Sequence, residues 1–152
     1  MPWKALIVVA VSSCLLACAT AQGPTYVAAP RPEGGKALVY IYRQTLGYFQ
    51  SAYTPRASVD GKPLADLPRD SYTYAYVDPG EHTIAVKHNF LAGIPSVQLA
   101  LHAASGGVYF ISYQDPIRPG ASIIFYIAKI QSFSGKSQPS ELQNMRYVEP
   151  IR

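Results

Sequence analysis

The three histidines are the side chains best suited to hold a metal or transfer a proton, but their spacing argues against a shared site. His82 and His88 lie six residues apart in one expected strand, which puts them on one face but about 20 Å apart at roughly 3.3 Å per residue. Zinc ligand atoms lie about 2 Å from the ion, so these two histidines cannot bind the same ion. His102 could approach one of them from another strand, but no third ligand is evident. We therefore expect no metal and no cofactor.

The carboxylates show no pair suited to acid–base catalysis. Asp60 and Asp78 lie in turn sequences, where aspartate commonly bonds nearby backbone groups, and the other acidic residues are scattered. The sequence also lacks glycine-rich phosphate-binding motifs and the G-x-S-x-G nucleophile motif. We therefore expect no catalytic residues.

The N-terminal segment has the features of a bacterial export signal. Lys4 precedes an apolar stretch, Ala5–Ala17, that suits a signal peptide and is too short to span a hydrocarbon core of roughly 30 Å. The residues Leu15-Leu16-Ala17-Cys18 resemble the bacterial lipobox, in which the cysteine thiol is acylated before the bond preceding it is cut. This resemblance implies a lipoprotein signal peptide over residues 1–17 and attachment of the mature chain to membrane lipid through acylated Cys18.

Three other fates of this segment stay open. Val11-Ser12-Ser13-Cys14 fits the same pattern but leaves a shorter apolar stretch before it. Ala19-Thr20-Ala21 fits an ordinary cleavage site, and the segment could also remain uncut as an anchor. After lipidation at Cys18 no cysteine remains for a disulfide. The residue that follows Cys18 is not the Asp that signals inner-membrane retention, so the lipoprotein resemblance implies the outer membrane, facing the periplasm.

A change in composition near residue 36 predicts a tether followed by one domain. Residues 18–35 contain the lipidated cysteine and a linker rich in Ala, Pro and Gly that shows no helical or strand periodicity. A flexible chain of this length spans roughly 20–25 Å. The alternative is an irregular segment packed on the domain. Residues 36–152 are expected to form the single domain.

The composition of the domain favours β-structure. The chain has 12 Tyr, 5 Phe, 11 Gly and 13 Pro, and only 14% charged residues. Short apolar or alternating runs are separated by turn signals, notably Asp60-Gly61 and Asp78-Pro79-Gly80-Glu81. Residues 138–145 have the features of a short helix, with Ser137 as a cap. We expect an all-β fold: a small immunoglobulin-like or prealbumin-like sandwich of seven or eight strands, with one short C-terminal helix.

The run VDGKPLADLPRDSYTYAYVDPGEHTIAVK (59–87) resembles PEGA-type and other prealbumin-like envelope modules, which place a VDGK hairpin before a PGxHT turn. With the lipobox before it and VYFISY after it, the chain resembles, over roughly 36–130, a proteobacterial lipoprotein family known as domain of unknown function 2846. The resemblance implies a small β-sandwich in the cell envelope. It implies no activity and transfers no functional residue.

One row of aromatic side chains is the candidate binding face. Tyr72, Tyr74 and Tyr76 alternate along one expected strand, so their rings project from one face of a sheet. The expected strand 122–130 is apolar on both faces and needs cover on both, from the C-terminal helix, the linker or a partner.

The remaining features favour a binding role over a catalytic one. The positive charges are spread along the chain without a cluster, and nucleic acid is an improbable partner at a periplasmic address. We expect a non-catalytic cell-envelope lipoprotein, a binding or structural module that docks an envelope protein or glycan through the tyrosine row. The alternative is a small periplasmic hydrolase or an accessory subunit of an enzyme, and an inhibitor of a secreted enzyme is a further alternative.

Overall fold

Two β-sheets face each other in the computed structural model, which describes residues 21–44, 54–88, 96–114, 129–132 and 138–151. The strands within these residues are β1 (Ala37–Gln44), β2 (Arg56–Val59), β3 (Lys62–Asp66), β4 (Ser71–Val77), β5 (Gly80–Lys87), β6 (Val97–Ala103), β7 (Val108–Gln114), β8 (Lys129–Ser132) and β9 (Arg146–Tyr147). The first sheet has the order β8-β7-β1-β4-β9, and the second has the order β3-β2-β5-β6. The expected all-β, two-sheet fold is confirmed.

Strand β1 lies at the centre of the first sheet. It pairs antiparallel with β4, with Leu38 opposite Tyr76, and parallel with β7, with Leu38 opposite Val108. All seven residues from Ala37 to Arg43 are buried. A strand that is buried on both faces must have cover on both faces, and alternate residues of β1 contribute to two separate apolar clusters.

The first cluster, the inner core, fills the space between the two sheets. Its members from the first sheet include Val39 and Ile41 of β1, and its members from the second include Ile84 of β5 and Leu101 of β6. The second cluster, the aromatic layer, lies on the outer face of the first sheet. Its buried and partly buried members are Tyr26, Ala29, Leu38, Tyr40, Tyr42, Tyr72, Tyr74, Val108, Phe110, Leu142, Met145 and Tyr147.

Two turns have the backbone conformations that their sequences predict. Asp60 and Gly61, between β2 and β3, have φ values of 50° and 76°, as an Asp-Gly hairpin turn requires. Gly80, in the turn between β4 and β5, has a φ of 135°, a region that residues with a Cβ rarely adopt. The first turn sets the pairing of β2 with β3. The second carries the chain from one sheet to the other, because β4 pairs with β1 and β9 whereas β5 pairs with β2 and β6, so it does not set a register between β4 and β5, contrary to what their succession in the sequence suggests.

The expected C-terminal helix is present as a 3-10 helix, Ser140–Asn144. The amides of Leu142 and Met145 bond to carbonyls three residues earlier, on Pro139 and Leu142. Leu142 is fully buried in the aromatic layer. The tight turn is therefore fixed by packing one apolar side chain.

Several expectations fall outside the described residues. They include the signal peptide, Cys18, the cap at Ser137 and residues 122–128 of the last long apolar run. Within the part of the chain that is described, no helix has the length and apolar character needed to cross a membrane.

Candidate functional site

The three tyrosines expected as a binding face project from β4 into the aromatic layer. The pairing of β4 with β1 places Tyr74 opposite Tyr40 and Tyr72 opposite Tyr42, so their rings share one face of the sheet. Tyr72 is 2% exposed, Tyr74 is half-buried and Tyr76 is 38% exposed. The row therefore runs from the core to the surface, and its Tyr76 end is the part most accessible to a partner.

Residues 21–30, which precede β1, cover much of this row. The backbone amide of Ala29 donates to the Tyr40 hydroxyl at 2.8 Å, and the amide of Val27 donates to the Tyr72 hydroxyl at 3.2 Å. The Tyr26 ring packs 5.1 Å from the Tyr72 ring, centre to centre. An irregular segment has backbone donors that no neighbouring strand satisfies, and buried donors need partners. Tyrosine hydroxyls supply those partners here, which phenylalanine could not do.

These contacts correct the expectation that residues 18–35 form a free linker, at least from Ala21 onward. Ala21 is 7% exposed, and Thr25 forms an isolated β-bridge with Arg146. At the other end of the segment the Tyr76 hydroxyl donates to the Pro30 carbonyl at 2.8 Å. The described part of the interval is the packed irregular segment that the sequence left as an alternative. The composition of the segment correctly indicated that it has no regular secondary structure. A segment without regular secondary structure can still pack against the domain, as this one does.

The C-terminal residues complete the cover. The Tyr147 ring stacks on Tyr74 with 5.4 Å between ring centres and 27° between ring planes. Met145 is 3% exposed within the aromatic layer. Cover of the outer face is thus supplied from within the chain by both terminal segments.

Burial makes the phenols of this layer poor acids. It raises the pKa of Tyr147 to about 12, and it raises the pKa of Tyr40 still further. The pKa of Tyr42 is also raised, again mainly by burial. Near neutral pH these hydroxyls are therefore neutral hydrogen-bonding groups and are not nucleophiles.

A groove of about 280 Å³ lies between the two sheets, next to the exposed end of the tyrosine row. It is lined by Val59, Asp60, Lys62, Pro63, Leu64, Ala75, Tyr76, Val77, Asp78 and His82. The β2–β3 turn, the end of β4 and the start of β5 therefore meet there. We call this feature the turn-end groove.

His82 joins two turns at the wall of the turn-end groove. Its Nδ1 lies 2.7 Å from Asp60 Oδ2, and its Nε2 lies 2.7 Å from the Asp78 carbonyl oxygen. Asp60 Oδ1 also accepts from the Thr83 amide at 2.8 Å. These bonds, first of all the one to Asp60, raise the pKa of His82, and His82 in turn lowers the pKa of Asp60. The Asp60 side chain therefore bonds to a backbone amide, as expected for an aspartate in a turn, but that amide belongs to Thr83 on the neighbouring strand β5 and not to the turn itself.

The other two histidines have separate partners. His102 lies opposite Glu81 across β5 and β6, and its Nδ1 is 2.6 Å from Glu81 Oε1 on the exposed face. His88 Nε2 contacts the hydroxyl of buried Tyr113. Burial, with the nearby charge of Arg43, lowers the pKa of His88 to about 4. The structure therefore brings none of the three histidines together.

Arg43 is a buried residue that sequence reasoning missed. It is 1% exposed, and its Nη1 donates to the Leu67 carbonyl oxygen at 2.9 Å. Its position in the β1 alternation, in step with Val39 and Ile41 on the inner face, is the one sequence signal that could have revealed it. Among the described residues, no group of three or more His, Cys, Asp or Glu side chains could hold a metal ion.

Comparison with known proteins identifies a family. The sequence profile of the family described as "Protein of unknown function (DUF2846)" matches residues 33–126, more than half of the chain. No curated protein matches the chain significantly. No solved structure matches it significantly either.

Proposed function

Because the chain belongs to the DUF2846 family, whose description gives no activity, we propose a function from its sequence and geometry. The protein is a non-catalytic envelope lipoprotein that is anchored through Cys18 and docks another envelope protein at the turn-end groove. The observation that carries the docking proposal is the placement of Tyr76. It is the exposed end of an otherwise covered aromatic row, and it lies on the wall of the groove.

The lining of the groove favours a protein segment as the ligand. Aliphatic side chains of Val59, Leu64 and Val77 lie beside charges of both signs, including Lys62 and Asp78. Protein interfaces combine an apolar centre with a polar rim, and tyrosine is enriched in them. A glycan is the other occupant to distinguish by experiment.

The His82–Asp60 pair is the one observation that favours the alternative, a small hydrolase, because a histidine next to a carboxylate borders the groove. A general base needs one ring nitrogen free to take a proton from the reacting group. Both nitrogens of His82 face oxygen acceptors, at 2.7 Å each, an arrangement that suits the doubly protonated ring. We therefore assign His82 a structural role in joining the two turns.

The proposed anchor is supported by the N-terminal sequence: Lys4, the apolar stretch that follows it, and Leu15-Leu16-Ala17-Cys18. The absence of Asp after Cys18 supports the outer membrane, on its periplasmic face. The VDGK hairpin and the DPGEHT turn likewise support a PEGA-like envelope module, and both sequences form the turns at the groove.

Substitution of each cysteine tests the anchor. Cys18→Ser is expected to shift the protein from the detergent-extractable membrane fraction to the soluble or unprocessed fraction, and to remove the acyl mass. Cys14→Ser is the matched control and is expected to leave both unchanged. Loss of the acyl mass in Cys14→Ser alone would move the anchor to Cys14. Loss in neither variant would refute lipidation.

Photo-crosslinking in intact cells tests the docking proposal. A photoreactive phenylalanine analogue replaces Tyr76 in one strain and Gln98, an exposed residue of β6, in a control strain. We expect a discrete protein adduct from position 76, none from position 98, and a weaker adduct when Lys62→Glu reverses the charge beside the groove. Adducts that dissolve on digestion of cell-wall glycan would identify a glycan ligand instead. Equal adducts from both positions, or none from either, would refute docking at the groove.

A further inference from the structure

The chain is held firmly against the domain only three residues after the proposed lipid-bearing cysteine. Ala21 is buried, and the Arg146 side chain donates to the Gly23 carbonyl at 3.1 Å. The Tyr147 amide donates to the Pro24 carbonyl at 2.9 Å. Gly23 lies so close to Tyr147 that a Cβ atom there would be 2.0 Å from the Tyr147 carbonyl oxygen. Residues 21–24 are therefore a fixed part of the domain surface.

The covalent distance from Cys18 to Ala21 is short, whatever conformation the residues between them adopt. An extended chain spans at most about 3.6 Å per residue, so three residues reach only about 11 Å. A free linker over residues 18–35 would instead allow Cys18 and the start of β1 to lie roughly 20–25 Å apart. Acyl chains on Cys18 place its backbone at the lipid surface, so Ala21 must lie within about 11 Å of that surface.

The position of Ala21 in the fold determines which end of the sandwich this is. Ala21 shares a shallow surface groove with Thr54, Pro68 and Glu149. This groove lies where β4 begins, since Arg146 pairs with Ser71. The turn-end groove lies where β4 ends, and β4 is about 20 Å long at roughly 3.3 Å per residue. The two grooves therefore lie towards opposite ends of β4, and they come nearest to each other along the short strand β3, where Asp66 lines one and Leu64 the other.

We propose that the end of the domain around Ala21, Thr54, Pro68 and Glu149 rests against the lipid headgroups, and that the turn-end groove points away from the membrane. This orientation rests on the proposed acylation of Cys18. It places the docking groove where a periplasmic partner can reach it, and it gives the packing of residues 21–30 a second role. The packed segment shortens the tether and so fixes the orientation of the domain relative to the membrane.

The short tether, rather than charge, is what holds this end at the membrane. Of the described residues that line the shallow groove, Asp66 and Glu149 carry charge, and both are acidic. Asp66 is already paired with Arg56, at 2.6 Å. Arg146, whose side chain bonds to the Gly23 carbonyl, adds a positive charge beside Glu149, so this end carries charges of both signs and has no strong net attraction to anionic lipid. We therefore expect the orientation to be the same in vesicles of zwitterionic lipid and to be insensitive to salt.

Fluorescence quenching in vesicles tests the orientation. The mature chain has no free thiol once Cys18 is acylated, so single cysteines can be labelled selectively. The acylated protein carries a dye at Glu149→Cys, beside Ala21, or at the matched position Glu33→Cys. Glu33 is exposed and lies at the opposite end, because its carbonyl accepts from the Lys36 amide and the Lys36 ammonium pairs with Asp78, just beyond the end of β4. Thr54→Cys, beside Ala21, and Ser105→Cys form a second matched pair of exposed positions, in case either glutamate variant unfolds. Ser105 lies at the opposite end, because the amide of the next residue, Gly106, donates to the Lys36 carbonyl. The vesicles are phosphatidylcholine with a short-range nitroxide quencher on the headgroup.

We expect quenching to be several-fold stronger at position 149 than at 33, because about 20 Å separates the two ends. A flexible spacer of about 15 Gly and Ser residues, inserted between Thr20 and Ala21, should remove the difference. Equal quenching at both positions in membrane-bound protein would overturn the orientation and leave the anchor standing. A difference that survives the spacer would overturn the tether as its cause. Failure of the acylated protein to remain on vesicles would instead overturn the anchor itself.

Discussion

Truncating the tyrosines of β4 one at a time should separate their packing role from any docking role. Tyr72 is 2% exposed, accepts a hydrogen bond from the Val27 amide and packs against three tyrosine rings. Tyr72→Ala should cost about 3–5 kcal/mol by analogy with buried Phe→Ala, and the lost hydrogen bond adds about 1 kcal/mol. Tyr76 is 38% exposed, makes one edge-to-face ring contact, with Tyr74 at 5.9 Å, and donates an exposed hydrogen bond to the Pro30 carbonyl at 2.8 Å. Tyr76→Ala should cost only about 1–2 kcal/mol, for the ring contact and the exposed hydrogen bond together.

Urea unfolding of the purified protein, with residues 21–35 present, measures both values. With a slope of about 2 kcal/mol per molar urea, Tyr72→Ala lowers the midpoint by about 2–3 M and Tyr76→Ala by about 0.5–1 M. Tyr72→Phe, which keeps the ring and loses the bond to Val27, is the variant to use if Tyr72→Ala does not fold, and it should cost about 1 kcal/mol. Equal losses in the two alanine variants, or a loss below about 1 kcal/mol for Tyr72→Ala, would refute the gradient from core to surface.

Three further changes test other parts of the structure. Gly23→Ala should cost about 1–3 kcal/mol in urea melts, because its Cβ would lie 2.0 Å from the Tyr147 carbonyl oxygen, and an unchanged midpoint would contradict that close approach. Gly80→Val should lower the free energy of unfolding by more than about 1 kcal/mol. The cost comes from the φ of 135° and not from a clash, because no atom of the described residues, its two chain neighbours apart, lies within 4 Å of a Cβ there. A variant as stable as the wild type would show that the turn relaxes. His88, whose pKa burial lowers from 6.5 to about 4, contributes stability above pH 6.5 that is lost as the pH falls towards 4. Stability measured across that range should fall in the wild type and stay flatter in His88→Gln.

The strands and their turns could be predicted because their signals are local. Alternation of apolar and polar residues gave β4 and β5 nearly to their ends, and the run VYFISYQ coincides with β7, Val108–Gln114. The Asp60-Gly61 turn needed only two residues with positive φ. Alternation also gave the shared face of Tyr72, Tyr74 and Tyr76.

The cover of that face could not be predicted from the same signals. Residues 21–30 have no periodicity, because they bond to tyrosine hydroxyls on distant strands instead of forming a ladder of their own. Which hydroxyl meets which amide depends on the whole assembled sheet. The sequence therefore indicated that cover was needed and did not indicate that the supposed tether would supply it.

The partners of the histidines were hidden for a related reason. His102 meets Glu81, and His82 meets Asp60, because of cross-strand register and turn placement. Spacing along one strand excluded a shared metal ion but carried no information about neighbouring strands. The turn-end groove is built from three separate chain segments, so no single sequence motif could have predicted it.

The aromatic layer links the stability of the fold to the proposed attachment at the membrane. The segment that follows Cys18 is held at Gly23 and Pro24 by Arg146 and the Tyr147 amide. It is held again at Val27 and Ala29 by the hydroxyls of Tyr72 and Tyr40, so the layer and the strand beside it together determine how much of the chain is free to act as a tether. Release of residues 21–35 would lengthen the reach from about 11 Å to roughly 20–25 Å and free the domain to rotate. A substitution that loosens this layer should therefore weaken both the fold and the orientation of the turn-end groove. A substitution at the exposed end, Tyr76, should impair docking while leaving the tether short.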